Sequence, residues 1–141
     1  MPTNIFFNSL KNWDNKTWLS SSGYIQSFNK FLAKNTKLNC SSKIIDIGCG
    51  RGKIIGHLSS RLKLKNKPLG VDIERHKDRD KRINFKKVDA LNFFKKNNKT
   101  FDLILIKQTI HLLEKNKIKK LLNSCKSKLN PRGKIIISTL D

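Results

Sequence analysis

The sequence is poor in acidic side chains. Its 141 residues contain 10 Asp and Glu against 31 Lys and Arg, which gives a formal net charge of +21. It has no apolar run of membrane-spanning length, so no membrane partner is expected. The opening stretch, MPTNIFFNSLKNWDNK, lacks the charged start, apolar centre and small-residue cleavage site of a signal peptide. The three cysteines form no CxxC pair, which argues against a disulfide framework or a metal site and favours reduced thiols in the cytoplasm.

The excess of positive charge has two interpretations. A nucleic-acid partner is one of them. The other is base composition, because 25 of the 31 basic residues are Lys, and Lys, Asn and Ile share A/T-rich codons. The lysines are spread along the chain without a stripe of interleaved aromatic residues, and an RNA surface more often uses Arg. We therefore favour base composition and keep nucleic acid as the less favoured partner.

Strand and helix patterns alternate along the chain. Near-continuous apolar strands separated by helices are typical of a parallel sheet covered on both faces, a doubly wound α/β fold. One domain is expected, with residues 1–40 as a helical cover over the site of a core at residues 41–141. The predicted strands are 43–47, 67–73, 83–90, 101–107 and 134–139; the predicted helices are 53–62, 90–97 and 116–129, with another inside 16–32 and a turn at 130–133.

The stretch DIGCGRG, residues 46–52, links the first strand to its helix. In a doubly wound sheet, ligands bind beyond the carboxyl ends of the strands, and glycines let the backbone approach them closely. A dinucleotide fingerprint, G-x-G-x-x-G, would need its third glycine at position 53, which is Lys53. A pyrophosphate also has no use for the neighbouring carboxylate of Asp46. A ligand with an ammonium group and a single carboxylate fits better.

These residues resemble the class I S-adenosylmethionine-dependent methyltransferases, in particular the small-molecule type with an LKPGG-like turn. The resemblance runs from Lys43 to Ser138 and includes DIGCGRG, GVDI, VDA, FDLILIKQTIHLL and LNPRGKIII in the family's order. It implies the strand order 3-2-1-4-5 and the cofactor S-adenosyl-L-methionine. In LNPRGKIII, Arg132 stands where the family often has a glycine.

The resemblance also implies which residues bind the cofactor. In the second motif, Asp72 would hold both ribose hydroxyls and Ile73 would contact the adenine face. In the third motif, Asp89 would accept a hydrogen bond from the adenine amino group and Ala90 would supply a backbone contact. The first motif contributes Asp46, Gly48, Cys49 and Gly50, and the fourth brings the backbone of Lys107 near the methionine part.

The methyl acceptor and the catalytic residues are not assigned by these motifs. KQTIHLL lacks the Asp/Asn-Pro-Pro-aromatic and Pro-Cys segments of base-modifying relatives, which favours a small molecule. The alternatives are a binding-only subunit that needs a partner chain and an RNA-associated methyltransferase. His111 is the one candidate base near the end of strand four, although a structural role is favoured for it.

The family sheet has seven strands in the order 3-2-1-4-5-7-6, whereas this sequence ends at Asp141, just past strand five. We therefore expect a sheet truncated after strand five. Residues 134–139, KIIIST, would then form an outer edge with unpaired backbone groups. Such an edge is expected to pair with a second copy or a partner chain, or to cause aggregation.

Overall fold

The computed structural model describes residues 22–107 and 113–138. Its five strands form one sheet in the order β3-β2-β1-β4-β5, and every neighbouring pair is parallel. This confirms the predicted fold class and strand order. The strands are β1 Ile44–Ile47, β2 Leu69–Asp72, β3 Asn84–Lys87, β4 Phe101–Lys107 and β5 Leu129–Ser138; the helices are α1 Ser22–Asn35, α2 Lys53–Leu62, α3 Ala90–Lys96 and α4 Lys115–Ser127.

The apolar core lies on both faces of the sheet. Along β4, Ile104 and Ile106 pack with α3 and α4, while Leu103 and Leu105 pack with α1 and α2. All four side chains have no solvent exposure. The continuous apolar pattern of FDLILIK is therefore explained by helices on both sides, as expected for a parallel sheet.

The N-terminal helix begins at Ser22 and continues to Asn35, three residues beyond the predicted segment. Its buried residues, Ile25, Asn29 and Leu32, recur at helical spacing. Residues 1–21 lie outside the described part of the chain, and the division into a cover and a core remains a prediction. Across the described residues, no helix combines the length and the apolarity needed to cross a bilayer.

The predicted turn at residues 130–133 is wrong as a boundary, because β5 begins before it, at Leu129. The four residues interrupt the pairing with β4: Phe101 pairs with Leu129, whereas Leu103 pairs with Lys134. Arg132 has φ 67° in this bulge, the left-handed region that favours glycine. Residues 130–133 therefore leave the regular strand conformation, as their sequence predicted, but the same strand continues after them.

The connection between β2 and β3 contains no helix. It spans residues 73–83, whereas parallel strands are usually joined through a helical crossover. We call residues 73–83 the crossover. Ion pairs fasten it to the segment that follows β1: Arg51 Nε lies 2.9 Å from Asp78, and Lys53 Nζ lies 4.0 Å from Asp80.

The two edges of the sheet differ. β3 is four residues long and presents exposed Lys86 and Lys87. β5 is ten residues long and carries three consecutive isoleucines, of which Ile137 is 43% exposed. Lysines, Pro and bulges make an edge resist pairing; in β5 these lie at residues 130–134, which leaves the isoleucines at 135–137 as the part open to pairing.

Candidate functional site

The glycine turn, residues 48–52, follows β1 at the carboxyl edge of the sheet. Gly48, Gly50 and Gly52 have φ values of 71°, 54° and 74°. A side chain in this left-handed region costs about 1–2 kcal/mol, so the alternating glycines are required by the path of the backbone itself. The amides of Gly48 and Cys49 both donate to the carbonyl of Val71, at 2.9 and 3.1 Å, which ties the turn to β2.

Asp72, at the end of β2, faces this turn. Its Oδ2 accepts a hydrogen bond from the Gly50 amide at 2.9 Å, and its Oδ1 accepts one from the Glu74 amide at 3.2 Å. The neighbouring Ile73 is 65% exposed. A carboxylate oxygen has lone pairs beyond the one used here, so Asp72 can still accept from a ligand hydroxyl.

A cleft of about 570 Å³ opens between the ends of β1, β2 and β3 and the helices α3 and α4. It brings together five of the predicted residues: Gly48, Asp72, Ile73, Asp89 and Ala90. The sequence reasoning missed the wall contributed by the helices, because no motif marks those positions. The missed residues include Leu91, Asn92, Lys95, Leu113, Lys117 and Leu121.

Asp89 is the N-cap of α3. Its Oδ1 accepts a hydrogen bond from the Asn92 amide at 3.0 Å, and its Oδ2 accepts one from the Asn92 side chain. It is exposed on the rim of the cleft. The carboxylate therefore has a structural role as a cap, and its contact with adenine remains a prediction.

Asp46 and Lys107 form an ion pair across β1 and β4, and neither is among the residues that line the cleft. Lys107 Nζ lies 2.9 Å from Asp46 Oδ2, and the two residues are 9% and 0% exposed. Burial raises the pKa of Asp46 despite the lowering effect of Lys107. For Lys107, burial is the largest effect and opposes the charged form, but the charge and the hydrogen bond of Asp46, with smaller contributions from Tyr24 and Cys49, together outweigh it and raise the pKa. Asp46 Oδ2 is thus paired with this ammonium, while Oδ1 has no hydrogen-bond partner among the described residues.

Cys49 is engaged within the protein. Its amide donates to Val71, its carbonyl accepts from the Gly52 amide at 2.9 Å, and its side chain is 4% exposed. Burial, with the charge of Asp46 adding to it, raises the pKa of the thiol to about 12. The thiol is therefore neutral and buried, and contact of Cys49 with the cofactor remains a prediction.

Residues 108–112, which include the candidate base His111, lie outside the described part of the chain. In the described ranges 22–107 and 113–138, no group of three His, Cys, Asp or Glu side chains is placed to hold a metal ion.

The residues fit S-adenosyl-L-methionine. Asp72 offers a charged acceptor beside the turn, Ile73 offers an exposed apolar surface next to it, and the buried Oδ1 of Asp46 has no hydrogen-bond partner among the described residues. These are partners for ribose hydroxyls, an aromatic base and an ammonium group, respectively. The arrangement, on a sheet of order 3-2-1-4-5, defines the class of Rossmann-like methyltransferases.

Comparison with known proteins gives the family. The family model for a methyltransferase domain matches residues 44–133, most of the chain, so the protein belongs to this methyltransferase domain family. This membership confirms the family and the cofactor predicted from the motifs. No curated protein is similar enough in sequence to match.

Several solved structures share the fold. A SAM-dependent methyltransferase from Archaeoglobus fulgidus is 24% identical, with a TM-score of 0.60 over 91% of this chain and 54% of that one. Phosphoethanolamine N-methyltransferase 2 from Haemonchus contortus, in complex with phosphomonomethylethanolamine and S-adenosylhomocysteine, is 22% identical, with a TM-score of 0.62 over 79% and 27%. Precorrin 8W decarboxylase from Methanobacterium thermoautotrophicum is 16% identical, with a TM-score of 0.62 over 82% and 63%. The chain thus spans less than two thirds of each of these structures.

Proposed function

We propose that this protein transfers the methyl group of S-adenosyl-L-methionine to a small-molecule acceptor. The observation that carries the proposal is the junction of β1 and β2, where the Gly50 amide and the Asp72 carboxylate meet beside exposed Ile73. An anionic acceptor and an apolar surface side by side suit the ribose and the adenine of one nucleoside.

Each predicted residue has a role in this proposal. Asp72 binds the ribose hydroxyls, while Ile73 and the backbone of Ala90 border the adenine. Asp89 accepts from the adenine amino group with a lone pair that Asn92 leaves available. The remaining first-motif residues and the Lys107 backbone surround the methionine part, where Asp46 supplies negative charge.

The cofactor, when bound, supplies a methyl group that is already electrophilic. The protein then has to orient the acceptor in line with the methyl carbon and exclude water. An acceptor that loses a proton also needs a base, and His111 remains the sequence candidate. Lys107 does not suit that task, because its raised pKa keeps it protonated at neutral pH.

The choice of a small molecule is supported by solved structures of this fold that hold small-molecule ligands besides the cofactor product. The Haemonchus contortus relative of this fold holds phosphomonomethylethanolamine, a small amine. The decarboxylase in the same group of structures is a reminder that the fold alone does not fix the reaction. An RNA acceptor remains the less favoured alternative, since the lysines are spread along the chain and we attribute them to base composition.

Calorimetry with S-adenosylmethionine and S-adenosylhomocysteine tests the proposal, followed by a screen of small-molecule acceptors with radiolabelled methyl groups. We expect both compounds to bind and NADH not to bind. Glu114→Gln serves as a control for the loss of an acidic side chain and should bind both compounds as the wild type does. Glu114 is exposed and its side chain makes no cap hydrogen bond. Binding of NADH without S-adenosylhomocysteine would contradict the assignment of the cleft. Cofactor binding with no turnover unless a partner chain is added would instead favour the binding-only subunit.

We also propose that the β5 edge pairs with a second copy of this chain. Its support is the ten-residue length of β5, its place at the edge of the sheet and the 43% exposure of Ile137. Light scattering should show a dimer that Ile137→Lys converts to a monomer and that Lys86→Gln, on the opposite edge, leaves intact. A wild-type monomer at high concentration would refute the pairing.

We also propose the cytoplasm as the compartment of this protein, because its cysteines form no disulfide.

A further inference from the structure

Arg79, in the middle of the crossover, reaches back to the glycine turn. Its Nη1 donates to the carbonyl of Gly50 and lies 3.4 Å from the sulfur of Cys49. Its Nη2 donates to the carbonyl of Glu74 at 2.7 Å. We propose that Arg79 is a positioning residue, which holds the glycine turn in the shape that binds the cofactor. The inference rests on the proposed cofactor binding.

Gly50 is held from two sides. Its amide donates to Asp72, and its carbonyl accepts from Arg79. With φ 54° and no side chain, Gly50 has a wide choice of backbone conformations in the absence of such contacts. Fixing both of its polar groups removes that freedom before any ligand arrives. The entropy cost of ordering the Gly50 backbone is therefore not added to the free energy of cofactor binding.

Arg79 is itself well fixed. The carbon of its guanidinium lies 3.5 Å from the centre of the Phe85 ring, a stacked cation–π arrangement. Its remaining contacts use both terminal nitrogens, at carbonyls from two different segments. A Lys side chain cannot reproduce this fork, because its single ammonium cannot stack flat on the ring and bridge two carbonyls.

The crossover around Arg79 is fastened to the same turn. The Asp80 amide donates to the Arg51 carbonyl at 2.8 Å, and Arg51 pairs with Asp78. At Gly52, a Cβ atom would lie 2.4 Å from Ile83 Cδ1, so the crossover packs directly against the turn. In the absence of a crossover helix, these contacts make the crossover and the glycine turn one unit, with Arg79 at its centre.

Arg82 provides a matched control, since it is an arginine of the same crossover with other partners. Its guanidinium donates to Asp80, at 2.7 Å for Nη2, and to Ser60 at 2.8 Å, and it makes no contact with residues 48–50 among the described interactions. A loss of stability common to both arginine variants would report on the crossover in general. A loss of cofactor affinity specific to Arg79 would report on positioning of the turn.

Two measurements on the purified full chain test the inference. Calorimetry with S-adenosylhomocysteine should show about tenfold weaker binding for Arg79→Lys, about thirtyfold for Arg79→Ala and less than about twofold for Arg82→Lys. Amide hydrogen exchange followed by NMR, without ligand, should show faster exchange at Gly50 in both Arg79 variants only. Addition of methylguanidinium should restore part of the affinity of Arg79→Ala.

The outcomes separate the two levels of the proposal. If wild-type protein binds S-adenosylhomocysteine and Arg79→Lys binds it equally well, the positioning role is refuted while the cofactor assignment stands. If the wild type does not bind it, the cofactor assignment fails and this inference fails with it. If Arg79→Ala does not fold, the affinity is measured for Arg79→Lys and for Phe85→Leu, which removes the ring on which Arg79 stacks. Unchanged affinity in both of them overturns the inference.

Discussion

The two halves of the sheet end differently at the carboxyl edge where the cleft lies. In the first half, β1, β2 and β3, the cleft is bordered by the glycine turn and by Asp72 and Asp89. In the second half, β4 and β5 end at Lys107 and Ser138. The first half therefore offers carboxylates and open backbone to a ligand, whereas β4 places a cation against the only acid of β1. We therefore predict that cofactor recognition is local to the turns that follow β1, β2 and β3.

The largest effect is expected where the two halves meet, at the ion pair of Asp46 with Lys107. Lys107→Met should lower the free energy of unfolding by about 3–5 kcal/mol, because it leaves a buried carboxylate without its counter-charge. Chemical denaturation monitored by circular dichroism measures the loss. Lys126→Met, on the exposed part of α4, is the control and should change stability by less than about 0.5 kcal/mol. Equal losses of unfolding free energy in Lys107→Met and Lys126→Met would show that the ion pair does not stabilise the fold.

The same variant makes a prediction about pH. The pKa of Asp46 in the folded protein is already raised above 3.8, and removal of the ammonium raises it further. The folded variant then holds a proton that the unfolded chain has released, so its stability falls as the pH rises through that folded pKa. In the wild type, the Lys107 contribution is complete below its unfolded pKa of 10.5 and is lost as the pH rises through the higher folded value. The loss caused by Lys107→Met should be smaller near about pH 5 than near about pH 8, and equal losses would contradict the shift.

Within the first half, Gly50→Val should have the largest effect on the cofactor. A β-branched residue at φ 54° is strained, and its side chain would occupy the approach to the turn. We expect binding of S-adenosylhomocysteine to weaken by more than about a hundredfold, or roughly 2.7 kcal/mol, in a protein that still folds. Gly23→Val is the control, because a Cβ atom there meets no atom within 4 Å. Unchanged affinity in folded Gly50→Val protein would show that the turn does not face the ligand.

The two acids of the cleft should differ in their contributions. Asp72→Ala should weaken cofactor binding by about 1–3 kcal/mol, because the ribose hydroxyls and the Gly50 amide both lose a charged acceptor. Asp89→Ala should cost about 0.5–1 kcal/mol of binding, since Asp89 is exposed and its oxygens already bind Asn92. Calorimetry of the two variants side by side measures the order. A larger effect for Asp89 would move the centre of recognition from the ribose to the adenine.

The smallest effect is expected in the second half, at the bulge of β5. Arg132 occupies the left-handed region with φ 67°, where glycine carries no strain. Arg132→Gly should raise the free energy of unfolding by about 0.5–1 kcal/mol, the strain relieved less the greater freedom of the unfolded chain. Arg132→Ala keeps the strain and should not stabilise. Destabilisation by glycine would show that the Arg132 side chain contributes more than its backbone costs.

Local signals in the sequence were enough for the fold. The run of β4 has the same bounds in the sequence and in the structure, because the strand is covered on both faces and six of its seven residues are buried. The turn at residues 130–133 misled, since these residues form a bulge inside a strand that pairs with β4 on both sides of it. Whether a turn ends a strand is decided by the neighbouring strand, which the local sequence does not contain.

The candidate site was predictable in part for the same reason. Gly48, Asp72 and Asp89 sit at strand ends whose order fixes their proximity, so their motifs suffice. Arg79 lies in a charged loop without a motif, and only the folded backbone brings it to Gly50. The side chain of Lys107 was likewise unassigned, because its pairing with Asp46 joins residues that are far apart in sequence. Contacts that span the sheet are the part that the sequence pattern does not contain.

The unequal edges of the sheet decide how an assembly of this protein would grow. Lysines on β3 repel a second β3, whereas β5 offers its backbone to another strand. Under the proposed pairing, two copies related by a twofold axis join β5 to β5 in antiparallel fashion, and both remaining edges are then lysine-bearing. In such a dimer, the outer edges formed by the described strands would repel further copies. Replacing the β3 lysines with apolar residues would allow the β3 edges to pair as well, so that dimers would assemble into a fibre.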